Sequence, residues 1–100
     1  MWAQLVIARL KPGKEDDMRA IEAEFESRAR AGRVPWERSI VLQNENDPQE
    51  YYNLVFFESE EKARENENTP EQQELVQRFQ ALFDGPPRFV DLIPTYEGSR

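Results

Sequence analysis

The sequence contains neither cysteine nor histidine among its 100 residues. Without cysteine the chain can form no disulfide, no thiolate nucleophile and no thiolate metal site. Without histidine it lacks the side chain that most often serves as a general base or a metal ligand near neutral pH. We therefore expect no transition-metal site. No phosphate loop or nucleotide-binding motif is present either, and we expect no cofactor.

Long apolar runs and basic clusters are also missing. No window approaches 18 consecutive apolar residues, which excludes a membrane-spanning helix. Thirteen basic and 20 acidic side chains give a net charge of −7 without a Lys/Arg-rich run, so we expect no nucleic-acid partner. The N-terminus lacks the basic leader and cleavage site of a signal peptide, and we expect a cytoplasmic protein. The length fits one domain, placed at residues 1–97 with 98–100 as a tail.

The hydrophobic periodicity predicts the order strand, helix, strand, strand, helix, strand. The predicted strands cover residues 2–10, 36–44, 51–57 and 88–96, and the first helix covers 15–31. The second helical region, 58–84, should break near 68–70 because proline disfavours the helical conformation in the residue before it. This order predicts an α+β fold of the ferredoxin-like βαββαβ type, in which a four-stranded antiparallel sheet carries its helices on one face.

The opening strand is apolar on both faces. Val6 and Ala8 point to one side, and Leu5 and Ile7 point to the other. A large apolar face that no helix covers is unfavourable in a monomer, so we expect a symmetric homodimer that buries it. The residues predicted for this dimer interface are Leu5, Ile7, Asn53, Val55 and Phe57.

The helix-facing side of the sheet offers a candidate pocket. Trp36 and Arg38 share one strand and could form an aromatic and cationic wall for a planar, anionic substrate. The Tyr52 hydroxyl could donate to a bound oxygen, and Gln4 could add another polar group. A simpler interpretation has Trp36 covering the core, Arg38 in a surface ion pair and Tyr52 packing its ring with a solvated hydroxyl. No motif identifies a catalytic residue.

Four segments carry a resemblance to a known family: KPGKED (11–16), NDP (46–48), LVFFESEEKA (54–63) and FDGPPRFVDL (83–92). In order and spacing they resemble the antibiotic biosynthesis monooxygenase-like domains of the dimeric α+β barrel superfamily, small actinobacterial members included. The resemblance implies a homodimer with facing sheets and a pocket between sheet and helices. Such domains include cofactor-free oxygenases of polyphenolic substrates, haem-degrading enzymes and isomerases of small signalling molecules.

The chain departs from that family's pattern at several positions. Phe57 stands where the family usually carries tryptophan, and Asn66 stands where many members carry histidine. In haem-degrading members the functional asparagine, tryptophan and iron-ligating histidine fall on Val6, Asn66 and Val76 of this chain, which disfavours haem degradation. The Asn66 amide could orient a substrate oxygen but cannot act as a base at neutral pH. It is otherwise one more polar residue on a solvated helix turn.

Three functions are compatible with these observations. The first is a cofactor-free monooxygenase or isomerase acting on a small aromatic or quinone-type molecule. The second is a small-molecule binding module without turnover. The third is a dimerisation scaffold whose pocket is filled by its own side chains, with Trp36, Phe56, Phe79 and Phe83 as candidates. The volume of the pocket separates the third function from the first two.

Overall fold

The computed structural model describes residues 1–100 and consists of one four-stranded sheet and three helices. The strands are β1 (Trp2–Arg9), β2 (Trp36–Asn44), β3 (Asp47–Phe57) and β4 (Arg88–Leu92). They lie in the order β2-β3-β1-β4, and every neighbouring pair is antiparallel. The helices are α1 (Glu15–Arg30), α2 (Glu60–Glu67) and α3 (Pro70–Gln80). The predicted ferredoxin-like βαββαβ fold is confirmed.

None of the helices is long and apolar enough to cross a membrane.

Two strand boundaries differ from the sequence prediction. β3 begins at Asp47 rather than at residue 51, because the Asn44 side chain accepts the Asn46 backbone N–H at 2.9 Å and closes the hairpin within two residues. β4 ends at Leu92 rather than at residue 96. Pro94 follows closely and has no N–H to donate to a β-ladder, which accounts for the early end.

The predicted break in the second helical region is present, and side chains cap both pieces. Ser59 accepts the Lys62 backbone N–H at 3.2 Å at the start of α2. Thr69 does the same for the Gln72 N–H at 3.3 Å at the start of α3. Pro70 is the first residue of α3, where its missing N–H costs no helical hydrogen bond.

The buried core consists of two separate clusters. The larger lies beneath α1 and α3 and contains Leu10, Met18, Ile21, Leu75 and Leu82. The smaller lies at the opposite end of β1 and contains Trp2, Phe57 and Ala63. The accessible surface is 6997 Å², whereas a compact monomer of this mass exposes about 5,900 Å². The excess indicates that the chain leaves substantial surface open, between the clusters and on the sheet.

The register of β3 reverses the predicted orientation of its side chains. Val6 faces the helices and lies opposite Asn53, so Asn53, Val55 and Phe57 also face the helices rather than the open side. The prediction that these three residues form the dimer interface is therefore wrong in its choice of face. Phe57 is 7 % exposed and packs in the smaller core cluster. Both alternating sets of this strand are apolar, so the sequence pattern alone did not determine which set faces the helices.

Candidate functional site

A cleft of about 1020 Å³ lies between the sheet and the helices. It occupies the gap between the two core clusters, since residues of both clusters line its ends. Much of its floor is formed by two rows of side chains, each made of residues that lie opposite one another on adjacent strands. They are Val41–Asn53–Val6–Phe89 and Ser39–Val55–Gln4–Asp91, each running across all four strands.

Asn53 is the one polar residue in the first of these rows, Val41–Asn53–Val6–Phe89. Its neighbours across the sheet are Val6 on β1 and Val41 on β2. The Ser39 hydroxyl donates to Asn53 Oδ1 at 2.9 Å and so holds the amide group in one orientation. Asn53 Nδ2 makes no hydrogen bond within the chain, which leaves two N–H donors available to a molecule in the cleft.

A second polar group lies at the β4 side of the floor. Gln4 Nε2 donates to Asp91 Oδ1 at 3.2 Å, and Arg64 Nη2 donates to Asp91 Oδ2 at 2.8 Å. These two hydrogen bonds, first Gln4 and then Arg64, hold the pKa of Asp91 below its ordinary value. The Arg64 guanidinium also lies 5.0 Å from the centre of the Trp2 ring. Asp91 is therefore ionised and already bound, which makes it a poor proton acceptor.

The roof of the cleft is part aromatic and part amide. Phe25 of α1 stacks on Phe79 of α3 with ring centres 5.6 Å apart, and Phe79 stacks on Phe83 at 6.2 Å. Four glutamines of α3 also line the cleft: Gln72, Gln73, Gln77 and Gln80. Flat rings beside uncharged amides favour an aromatic ligand that carries hydrogen-bonding oxygen atoms.

Glu22 of α1 adds a carboxylate to this roof. It follows Met18 by four residues and precedes Phe25 by three, so all three lie on the same side of the helix. Burial raises the pKa of Glu22 above its ordinary value of 4.5, and the charge of Arg19 only partly opposes that shift.

The predicted pocket residues divide between the two faces of the sheet. Gln4, Trp36 and Asn66 line the cleft. Arg38 does not, because a β-bulge at Glu37 pairs Trp36 with Phe57 but Arg38 with Phe56, on the opposite face.

Tyr52 also lies on the open face, and its predicted place in the pocket is wrong. It pairs with Ile7 of β1, and its hydroxyl donates to the Glu50 carboxylate, which raises the pKa of Tyr52. The expected cationic wall for an anionic substrate is therefore absent from this cleft.

Several polar residues of the cleft escaped the sequence analysis. Asn53 is predicted on the opposite face, and no role is predicted for Glu22. Its spacing from Met18 and Phe25 would have placed Glu22 beside the apolar stripe. No local sequence signal pairs Asp91 with Arg64, which is 27 residues away. No group of three or more carboxylates is arranged to hold a metal ion.

The cleft is not filled by the aromatic residues that could have closed it. Phe56 lies on the open face of the sheet, opposite Ala3 and Arg38. Trp36, Phe79 and Phe83 line the cleft and leave its volume open. The volume disfavours the scaffold that fills its own pocket.

No protein-family model and no curated protein sequence matches the chain. Solved structures do. An antibiotic biosynthesis monooxygenase superposes with a TM-score of 0.77 at 14% identity, over 96% of this chain and 100% of the other. A variant of SnoaB, a cofactor-independent oxygenase from Streptomyces nogalater, gives a TM-score of 0.80 at 9% identity, over 96% of this chain and 94% of the other.

A third structure, Rv0793 from Mycobacterium tuberculosis, gives a TM-score of 0.78 at 16% identity and covers 98% of both chains. At these identities the likeness concerns the fold, and it extends over nearly the whole of each protein. The chain has the antibiotic biosynthesis monooxygenase-like fold that the sequence segments indicated.

Proposed function

We propose that the cleft is the active site of a cofactor-independent monooxygenase acting on a small aromatic or quinone-type molecule. The observation that carries the proposal is the Asn53 amide, held by Ser39 at 2.9 Å between the apolar side chains of Val6 and Val41 with its N–H groups unpaired. An oriented donor in an apolar site stabilises negative charge that develops on a substrate oxygen far better than water does.

The size and lining of the cleft support an aromatic substrate. Its volume, about 1020 Å³, lies at the upper end of the range for small-molecule sites, which extends to roughly 1,000 Å³. The rings of Phe25, Phe79 and Phe83 offer a stacking surface on one side, and Trp36 and Tyr51 lie at the floor. Two of the structural neighbours are an antibiotic biosynthesis monooxygenase and a cofactor-independent oxygenase, which agrees with this reaction class.

The proposed reaction draws its electrons from the substrate. An anthrone-type ring CH₂ loses its two hydrogens, one oxygen atom of O₂ becomes the new ring carbonyl, and the other leaves as water. The ring carbon is oxidised and O₂ is reduced, so no external reductant is required. Asn53 Nδ2 would donate to the enolate oxygen that forms when the substrate gives up its first proton to solvent water. Gln4 and Asn66 would bind other oxygen atoms of the substrate.

Oxygen uptake with a panel of anthrones and hydroquinones tests the proposal. We expect uptake above the enzyme-free rate, with one ¹⁸O atom from ¹⁸O₂ in the product. Asn53→Ala should lower kcat/KM by about a hundredfold, the effect typical of losing one oxyanion donor. Asn46→Ala makes the same change in the β2–β3 turn, outside the cleft, and should leave the rate unchanged. Equal rates for the two variants, or no uptake with any compound, would overturn the proposal.

A binding module without turnover is the second candidate. It is favoured by the lack of a histidine and by the ion pair that occupies Asp91 and Arg64. Saturable binding of the same compounds without oxygen uptake would support it.

We also propose that the open face of the sheet pairs with a second copy of the chain. Its central row, Ile40–Leu54–Leu5–Val90, is aliphatic across all four strands. Leu42 and Leu92 of the neighbouring rows are 50 % and 38 % exposed. Two facing sheets would bury these side chains, as the resemblance to dimeric α+β barrels implies.

A further inference from the structure

Negatively charged side chains outnumber positively charged ones in the lining of the cleft. Arg64 supplies the single guanidinium of the lining. Four carboxylates also line the cleft: Glu22, Glu26, Glu67 and Asp91. Arg64 is bound to both Glu67 and Asp91, at 2.9 and 2.8 Å. Glu26 is paired with Arg30 at 2.6 Å. A ligand in the cleft therefore meets no free cation, and the lining has an excess of negative charge.

Glu22 is the cleft carboxylate without a cationic partner. Arg19, the cation whose charge lowers its pKa, is bound to Asp16 at 2.8 Å. Burial beside the apolar stripe of α1 outweighs that charge and raises the pKa of Glu22. At neutral pH a partly desolvated carboxylate without a counter-ion is unfavourable, and a cation delivered by a ligand would relieve that cost.

We propose that the cleft selects an aromatic molecule bearing a protonated amine, and that Glu22 is the counter-ion for that amine. The inference rests on the proposed function for the aromatic part of the ligand. It adds a charge preference, in which an ammonium group is attracted and a carboxylate or sulfonate on the same ring system is repelled. The ring would stack on Phe25 and Phe79, which lie on the same side of the cleft as Glu22.

Calorimetric titration with three matched probes tests the charge preference. The probes share a naphthalene ring and carry an aminomethyl, a hydroxymethyl or a carboxylate group. At pH 7 we expect the ammonium probe to bind about two- to fivefold more tightly than the neutral one, as one partly exposed ion pair allows. The carboxylate should bind most weakly. Glu22→Gln should abolish the advantage of the ammonium probe and leave the affinity of the neutral probe unchanged.

Glu15→Gln is the matched control, because it removes the same charge from α1 at an exposed position outside the cleft. It should preserve the advantage of the ammonium probe. If the neutral or anionic probe binds as tightly as the cation, or if the two variants behave alike, the assignment of Glu22 is overturned while the aromatic site stands. If none of the three probes binds, the aromatic site and the charge preference are both rejected.

Discussion

Asn53 and Glu22 are polar residues placed among apolar neighbours, and each is exposed to the cleft. Asn53 has one hydrogen bond, from Ser39, and Glu22 has none. Polar groups with unfilled hydrogen-bonding capacity in partly desolvated places reduce stability. Residues of this kind are retained where they serve binding or chemistry, which is why we assign the two residues to the site.

The pH dependence of stability tests the state of Glu22. Burial raises its folded-state pKa above the ordinary value of 4.5. Below pH 4.5 both folded and unfolded chains carry the proton, and the group contributes nothing. As the pH rises from 4.5 through the folded-state pKa, the unfolded chain ionises first and stability is lost. Glu22→Gln should therefore unfold at higher denaturant concentration than the natural chain at pH 7, with a difference that shrinks towards pH 4.

Glu26→Gln is a suitable control for that experiment. Glu26 is exposed and paired with Arg30, so its removal should be neutral or slightly destabilising at pH 7. A Glu22→Gln variant no more stable than Glu26→Gln would mean that Glu22 is not desolvated.

Single residues were the hardest part to infer from sequence. Gln4 and Trp36 were predicted in the pocket and lie in its lining, whereas Arg38 and Tyr52 lie on the other face. One inserted residue, Glu37, changes the face of every side chain on one side of the bulge. Such a bulge has no sequence signature here. Because it places Arg38 on the open face, the cleft lacks the cationic wall that the sequence predicted for an anionic substrate.

The secondary-structure elements were easier to predict, because their ends are marked by local chemistry. The predicted break between α2 and α3 follows from Pro70, and in the structure Thr69 caps the start of α3. Helical periodicity also separated α1 from the strands. The sequence did not determine which side of β3 faces the helices, because both sides are about equally apolar. That orientation depends on pairing with β1, whose residues lie about 50 positions away in the chain.

The cap of α3 provides a test at this scale. Thr69→Ala removes the acceptor for the Gln72 N–H and should lower the free energy of unfolding by about 1 kcal/mol. Thr69→Ser keeps the hydroxyl and should retain most of the stability. Chemical denaturation monitored by circular dichroism gives both values. Equal losses in the two variants would show that the hydroxyl does not cap the helix.

At the scale of the whole molecule, the two faces of the sheet have different roles. The helix-facing side forms the cleft, and the opposite side presents an aliphatic row with no cover in the single chain. The radius of gyration, 13.7 Å, exceeds the value of about 13 Å expected for a compact chain of this length. A second chain on the open face would reduce the exposed apolar surface without closing the cleft.

Two substitutions on opposite faces of β3 distinguish the two faces of the sheet. Leu54→Glu places a charge on the open face and should give a folded monomer in sedimentation velocity experiments. Phe57→Glu buries a charge beside Trp2 and Ala63 and should prevent folding altogether, at a cost of several kcal/mol. A natural chain that sediments as a monomer at micromolar concentration would refute the dimer.

The central claim is that the cleft, and not the open face, binds an aromatic molecule. Titration of naphthalene-1,4-diol into ¹³C- and ¹⁵N-labelled protein under argon, followed by side-chain resonances, tests it most directly, because successive side chains of a strand lie on opposite faces. We predict saturable shifts centred on Val6, Asn53 and Phe79, which line the cleft. Shifts confined to Leu5 and Leu54 on the open face, or no shifts at millimolar ligand, would contradict the account.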